Sequence, residues 1–141
     1  MSIAAVLAFR WDGKKSRMFF ETTADTYNGE KLMKFITNLK QELRGRKCIL
    51  IWDGLPAHKS KKMKLFLSSH KKWLSVEKLP GYAPDLNPVE SIWSCIKGQE
   101  LANLCAADLG EAAKALRRGM NRVDQHKDLA WSFLKHAGLF I

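Results

Sequence analysis

Apolar positions change their period along the chain, and the changes mark out the elements. Residues 3–9 are a continuous apolar run, Trp11-Asp12-Gly13-Lys14 supplies an Asp-Gly turn signal, and residues 17–23 return with Met18, Phe19 and Phe20. That pattern predicts an antiparallel hairpin. The period then becomes helical: Asn28-Gly29-Glu30 opens a segment whose Leu32, Phe35, Ile36, Leu39 and Leu43 form one stripe, closed by Gly45. Cys48-Ile49-Leu50-Ile51-Trp52 does not alternate, which predicts a strand buried on both faces in a parallel sheet. Residues 60–69 read as a second helix, with Met63, Phe66 and Leu67 inward and Lys59, Lys61, Lys62 and Lys64 outward. Residues 73–79 read as another short strand with Val76 inward.

A proline-rich loop follows, Leu79-Pro80-Gly81-Tyr82-Ala83-Pro84-Asp85-Leu86-Asn87, and then a helix from Pro88. Asn87 can cap it, Pro88 suits the first helical position, and Glu90 stands where a capping box wants an acid. Val89, Ile92, Trp93 and Ile96 give its inward face. The rest, about 100–141, reads as a helical tail. Asp108 caps a helix bearing Leu109, Ala112, Ala113, Leu116 and Met120, and Leu129, Phe133 and Leu134 mark a last helix ended by Gly138. A hairpin followed by strands alternating with helices predicts an α/β fold: a mixed sheet flanked by helices, in one domain over 1–141.

Composition narrows the function classes. A chain of 141 residues, 46% hydrophobic with a mean hydropathy of −0.26, is that of a soluble globular protein. It carries no membrane-length apolar run, and its first residues lack the basic region of a secretory leader, so the expected location is cytoplasmic. Three cysteines, Cys48, Cys95 and Cys105, without CxxC spacing, favour structural thiols over zinc or a disulfide framework. The 24 basic against 14 acidic residues leave a formal charge of +10, which favours a polyanionic partner. The second helix's lysines and Arg117, Arg118 and Arg122 of the tail offer basic faces, for phosphate contact or for solvation alone. Arg44, Arg46 and Lys47 end the first helix, where positive charge suits its dipole.

Two acids carry the candidate chemistry. Asp53 stands at the carboxyl end of the Cys48–Trp52 strand, the edge at which open α/β sheets place their sites, and Glu90 stands at a helix start. Such carboxylates form a hard-oxygen site suited to magnesium or manganese, and two ions about 4 Å apart can activate a nucleophile and stabilise the leaving oxygen of a phosphodiester. The plainer readings are a capping box for Glu90 and a turn cap for Asp53. His58 can serve as a loop residue, a turn partner or a phosphate contact.

Ile51-Trp52-Asp53-Gly54-Leu55-Pro56-Ala57-His58-Lys59-Ser60, followed by the segment from Leu79 to Trp93, resembles the catalytic region of mariner-type insertion-sequence transposases. The resemblance runs from about Ser2 to about Lys97. It implies a DDE enzyme with a ribonuclease H-like fold, acting on DNA by magnesium-dependent cleavage and strand transfer at transposon ends. Asp53 then corresponds to the second acid of the triad and Glu90 to the third, 36 residues lying between them. His58 matches the histidine of the strand-end motif, and Asn87 and Pro88 match the family's loop. His58, Lys59, Lys61, Lys62 and Asn87 become candidate DNA contacts.

The chain departs from the family pattern at its beginning. The family's first aspartate lies on a central strand ahead of the hairpin; Asp12 falls in a turn and Asp25 in a loop, and neither sits like that acid. The family's upstream helix-turn-helix DNA-recognition region is also unmatched. The expectation is the carboxyl-terminal part of a transposase, binding Mg2+ or Mn2+ weakly and inactive alone. The alternative is a non-catalytic nucleic-acid-binding or assembly module that keeps the fold; a further alternative recruits Asp85 to the Asp53 site. The hairpin would pair directly with the Cys48–Trp52 strand, or a strand would come from a homodimer partner or another polypeptide. The expected partner is DNA, with neither a membrane nor a small-molecule substrate.

Overall fold

The computed structural model describes residues 1–139, and the chain divides into two compact units, Ile3–Thr22 with Pro84 onward, and Thr23–Ala83. In the first unit β1 (Ser2–Phe9) pairs with β2 (Ser16–Thr23). The connection over 10–15 is far too short for a parallel crossover, so the pair is the expected antiparallel hairpin. Gly13 makes the turn at φ 71°, and Arg10 N–H donates to the Lys15 carbonyl at 2.8 Å. Asp12 Oδ1 accepts from Lys14 N–H at 3.1 Å, so this acid is a turn residue, as expected.

Three helices follow the hairpin in this unit: α4 (Pro88–Gln99), α5 (Leu109–Gln125) and α6 (Lys127–His136). Met18 of β2 is buried with Ile92 and Ile96 of α4 and with Leu116, Met120 and Val123 of α5, and Ile3, Ala5 and Leu7 of β1 pack against this cluster. Asp108 caps α5, its Oδ1 accepting from Glu111 N–H at 2.8 Å. Leu109 differs from its expected inward position. It is 73% exposed, because the first residue after the cap precedes the buried stripe, which runs through Ala115, Leu116, Gly119, Met120 and Val123.

Gly119 lets two helices approach closely. A Cβ there would stand 3.0 Å from the Glu100 carboxylate and 3.1 Å from Ile96 Cγ1. Arg122, expected on a basic surface, turns to the end of α4 instead. Its Nε donates to Glu100 Oε1 at 2.5 Å and its Nη2 to Glu100 Oε2 at 3.0 Å, the two-pronged geometry that suits guanidinium and carboxylate.

The second unit contains α1 (Gly29–Glu42), β3 (Cys48–Trp52), α2 (Pro56–Lys59), α3 (Lys61–Ser69) and β4 (Leu74–Lys78). Asn28 caps α1 by accepting from Lys31 N–H at 2.9 Å, and Phe35, Ile36 and Leu39 of its stripe are buried. Ser60 caps α3 through Met63 N–H at 3.1 Å, and Met63 is fully buried. β3 and β4 pair in parallel from Cys48↔Leu74 to Trp52↔Lys78. Val76 is half-buried opposite Leu50.

One expectation for β3 is corrected. Leu50 and Trp52 are buried, but Ile49 is 67% and Ile51 53% exposed, so only one face of the strand is covered. An unbroken apolar run reports apolarity, not what lies over each face. Among the described residues the strands form two separate two-stranded sheets, β1-β2 and β3-β4, and β1 is not hydrogen-bonded to β3. The three cysteines are free thiols, and burial pushes the Cys48 thiol up from its ordinary value. Among the described residues no helix is long and apolar enough to cross a membrane.

Candidate active site

Asp53 leaves β3 at its carboxyl end, and the following turn of helix fixes it. Pro56 opens α2 at its first position, which brings His58 back over the strand exit. His58 Nδ1 lies 2.9 Å from the Asp53 carbonyl oxygen and 3.0 Å from Asp53 Oδ1. A carbonyl only accepts, so Nδ1 carries the proton and donates to this one residue's main chain and side chain. Leu55 N–H donates to the same Oδ1 at 3.2 Å. The imidazole also stacks on Trp52, ring centroids 4.1 Å apart and planes within 4°. Asp53 Oδ2 takes no part in these contacts, and the carboxylate remains half exposed.

Cations stand beside this strand exit. A Cβ on Gly54 would meet the Lys59 Cε and Nζ at 3.3 Å, so the end of that lysine lies against the residue after Asp53. Lys61 is exposed at the start of α3. Lys62 is exposed too but pairs with Glu30 Oε1 at 2.7 Å, and that hydrogen bond holds the Glu30 carboxyl below its ordinary value. An exposed pair of this kind contributes little stability, so Lys62 can exchange partners at small cost.

Glu90 is placed differently. Asn87 Oδ1 accepts from Val89 N–H at 3.2 Å and its carbonyl accepts from Glu90 N–H at 3.0 Å, so Asn87 serves as the helix cap. The reciprocal half of a capping box is missing. Asn87 N–H donates instead to the Pro84 carbonyl at 2.9 Å, across the short 3-10 turn Pro84–Leu86, and leaves the Glu90 carboxylate exposed at the first turn of α4. Ile92 and Ile96, both at or near zero exposure, anchor the helix below it. Just upstream, Tyr82 is fully exposed at φ 60°, a conformation that L residues adopt at a cost.

The second unit therefore brings Asp53, His58 and Lys59 together, and the first brings Asn87 and Glu90 together. Asp85 lies exposed in the 3-10 turn of the first unit, and Asp53 belongs to the second. Both candidate acids offer hard oxygen donors with free capacity, chemistry that suits magnesium or manganese. Among the described residues no group of three or more His, Cys, Asp or Glu side chains is arranged to hold a metal ion. The element that sequence reading missed is α2, and with it the stacking of His58 on Trp52; Pro56 at a first helical position was the available signal.

The sequence profile of the DDE superfamily endonucleases matches residues 5–111. No curated protein is similar in sequence. Among solved structures, the catalytic domain of Mos1 mariner transposase is similar over 99% of this chain and 83% of its own, at 16% identity and a TM-score of 0.54. The same Mos1 domain with raltegravir and magnesium matches over 99% and 83% of the two chains, at 17% identity and a TM-score of 0.51. With raltegravir and manganese it matches over 99% and 84%, at 16% identity and a TM-score of 0.51. The fold is that of this ribonuclease H-like catalytic domain.

Proposed function

Since the chain belongs to the DDE superfamily endonucleases, we propose that it is a DNA-transposition catalytic domain in which Asp53 and Glu90 are two of the acids that hold divalent metal. The observation that carries this reading is the freedom of Glu90. It stands where a helix would use an acid for capping, yet Asn87 N–H is bonded to Pro84, so the carboxylate has no capping duty. Asp53 supports the reading with a free oxygen on a carboxylate whose other oxygen is fixed by His58 and Leu55.

Magnesium or manganese, when bound, supplies activation of the attacking oxygen and stabilisation of the leaving one. The chain's own part is to orient its acids and bind DNA phosphates. His58 and Leu55 keep Asp53 in one rotamer; Lys59 and Lys61, with Lys62 when it leaves Glu30, supply phosphate contacts beside the strand exit. Asn87 holds the start of α4, and thus Glu90, in place. The triad's remaining acid comes from outside the described residues, so metal binds weakly and the chain alone cleaves little or no DNA.

One observation favours a second reading, a non-catalytic DNA-binding or assembly module: no group of three ligating side chains occurs among the described residues. The manganese electron-spin signal of the chain, Asp53→Asn and Glu90→Gln separates the two, with duplex DNA binding measured alongside. Weak manganese binding lost in both variants is expected. Manganese binding unchanged by both, with DNA binding intact, would leave the module reading.

The incomplete sheet bears on assembly. Among the described residues β3 is paired to β4 alone, so its other edge carries no strand, and Ile49 and Ile51 expose apolar side chains on one face of it. We assign that edge to a strand from a second copy of the chain. Light scattering should then find a dimer that Ile49→Lys with Ile51→Lys reduces to monomer; a monomeric parent at all concentrations overturns the assignment.

A further inference from the structure

Five cations of the second unit, Arg44, Arg46, Lys47, Lys71 and Lys72, meet at the end of the β3-β4 sheet opposite Asp53. The meeting follows from topology. Parallel strands in register start at the same end, so the turn from α1 into β3 and the turn from α3 into β4 lie side by side. Cys48 N–H donates to the Trp73 carbonyl at 2.7 Å, which joins the residues directly after Lys47 and Lys72. Lys40, on the last turn of α1, lies 6.0 Å from the centre of the Trp73 ring.

All five side chains are exposed, and neither turn, over 43–48 or 69–75, contains an Asp or Glu. Five positive charges, against a formal net charge of +10 for the whole chain, are therefore concentrated here, with Glu42 at the end of α1 the nearest acid in sequence. Helix-dipole complementarity favours cations in the last turn of a helix, but both groups stand outside their helices, Arg44, Arg46 and Lys47 after Glu42 and Lys71 and Lys72 after Ser69. Arg44 adds an independent sign of function. It occupies φ 54° in the turn that ends α1, with its N–H on the Gln41 carbonyl at 2.9 Å and Gly45 N–H on the Lys40 carbonyl at 2.9 Å. That is the position at which helices place glycine, and an arginine there costs stability.

We propose that this edge is a second DNA-binding surface, which grips the phosphate backbone of a duplex segment remote from the reacting phosphodiester. The five-residue β3 sets it roughly 16 Å from Asp53. It rests on the reading of the chain as a DNA-acting domain, and adds a contact that the strand-exit lysines cannot make.

The test is fluorescence anisotropy with a labelled duplex in EDTA, from about 50 to about 200 mM salt. It compares the full chain with a variant carrying Arg44→Gln, Arg46→Gln, Lys47→Gln, Lys71→Gln and Lys72→Gln, with Arg44→Gly alone, and with Asp53→Asn. The fivefold variant should bind at least about tenfold more weakly at low salt, and its slope of log affinity against log salt should be shallower by up to about 4.5. Arg44→Gly should bind more weakly while melting higher than the parent, because it removes a charge and relaxes the turn; that pairing excludes unfolding as the cause. Asp53→Asn, which removes a negative charge, should bind no more weakly than the parent. Parental affinity and slope in the fivefold variant overturn the proposal, as does protein that sediments with phosphatidylserine vesicles and leaves duplex DNA unbound. Metal is absent throughout, so failure of the manganese experiment with patch-dependent binding intact removes the catalytic reading and leaves this surface standing.

Discussion

Asp53 and Glu90 are both carboxylates at the end of an element, but they are held by different means. Asp53 is fixed by its own atoms: His58 Nδ1 and Leu55 N–H both reach Oδ1, and the imidazole is held flat against Trp52. Glu90 has no such partners and is fixed by the helix beneath it, whose Ile92 and Ile96 are buried and whose first turn is capped by Asn87. Accuracy at one acid comes from local hydrogen bonds, and at the other from a distant core. Damage should therefore travel differently to each.

The largest effect tests the core that carries Glu90. Ile92→Ala removes a fully buried side chain and should cost about 2–5 kcal/mol in urea unfolding. Gly119→Ala comes next, at about 1–3 kcal/mol, because the new methyl meets Glu100 and Ile96 at 3.0 and 3.1 Å. If Gly119→Ala proves neutral, α5 has room to shift and the support for α4 is softer than the distances suggest.

Smaller losses separate the two local devices. His58→Ala should cost about 1 kcal/mol globally but speed amide exchange at Leu55, whose N–H shares Asp53 Oδ1. Asn87→Ala should cost about 1 kcal/mol and speed exchange at Val89 and Glu90, the first turn of α4. Unchanged exchange at Leu55 in His58→Ala would mean that the strand exit holds Asp53 without the histidine.

Much of this was legible in the sequence because local signals agreed with one another. Asn28, Asn87 and Asp108 all cap helices where Asn or Asp precedes an apolar stripe. Cys48–Trp52 has the expected bounds, and the joint motif around Asp53 and Glu90 pointed to the family that the profile match establishes. What was hidden depends on tertiary neighbours. The exposure of Ile49 and Ile51 reflects what covers a two-stranded sheet, which an apolar run does not encode. Arg122 looked like a surface cation because nothing local announces that Glu100 stands opposite it. The loss of the capping box at Glu90 depends on one carbonyl, that of Pro84, arriving first at Asn87 N–H.

The smallest expected effect concerns the other end of the helix that starts with Glu90. Glu100 caps the carboxyl end of α4, where a negative charge opposes the helix dipole, and Arg122 offsets this with two hydrogen bonds. Those bonds hold the Glu100 carboxyl below its ordinary value of 4.5. A carboxyl depressed on folding binds protons less readily in the folded chain than in the unfolded one. Its contribution to stability is thus full above the ordinary value and is lost as pH falls through the lower folded value. Glu100→Gln should be less stable than the parent at neutral pH and lose less on acidification below pH 4.5, and Arg122→Leu should flatten the same window. Urea midpoints measured across it decide the matter. A parental decline in both variants would mean that the pair does not secure this helix end, and that Glu90 depends on the packing of Ile92 and Ile96 alone.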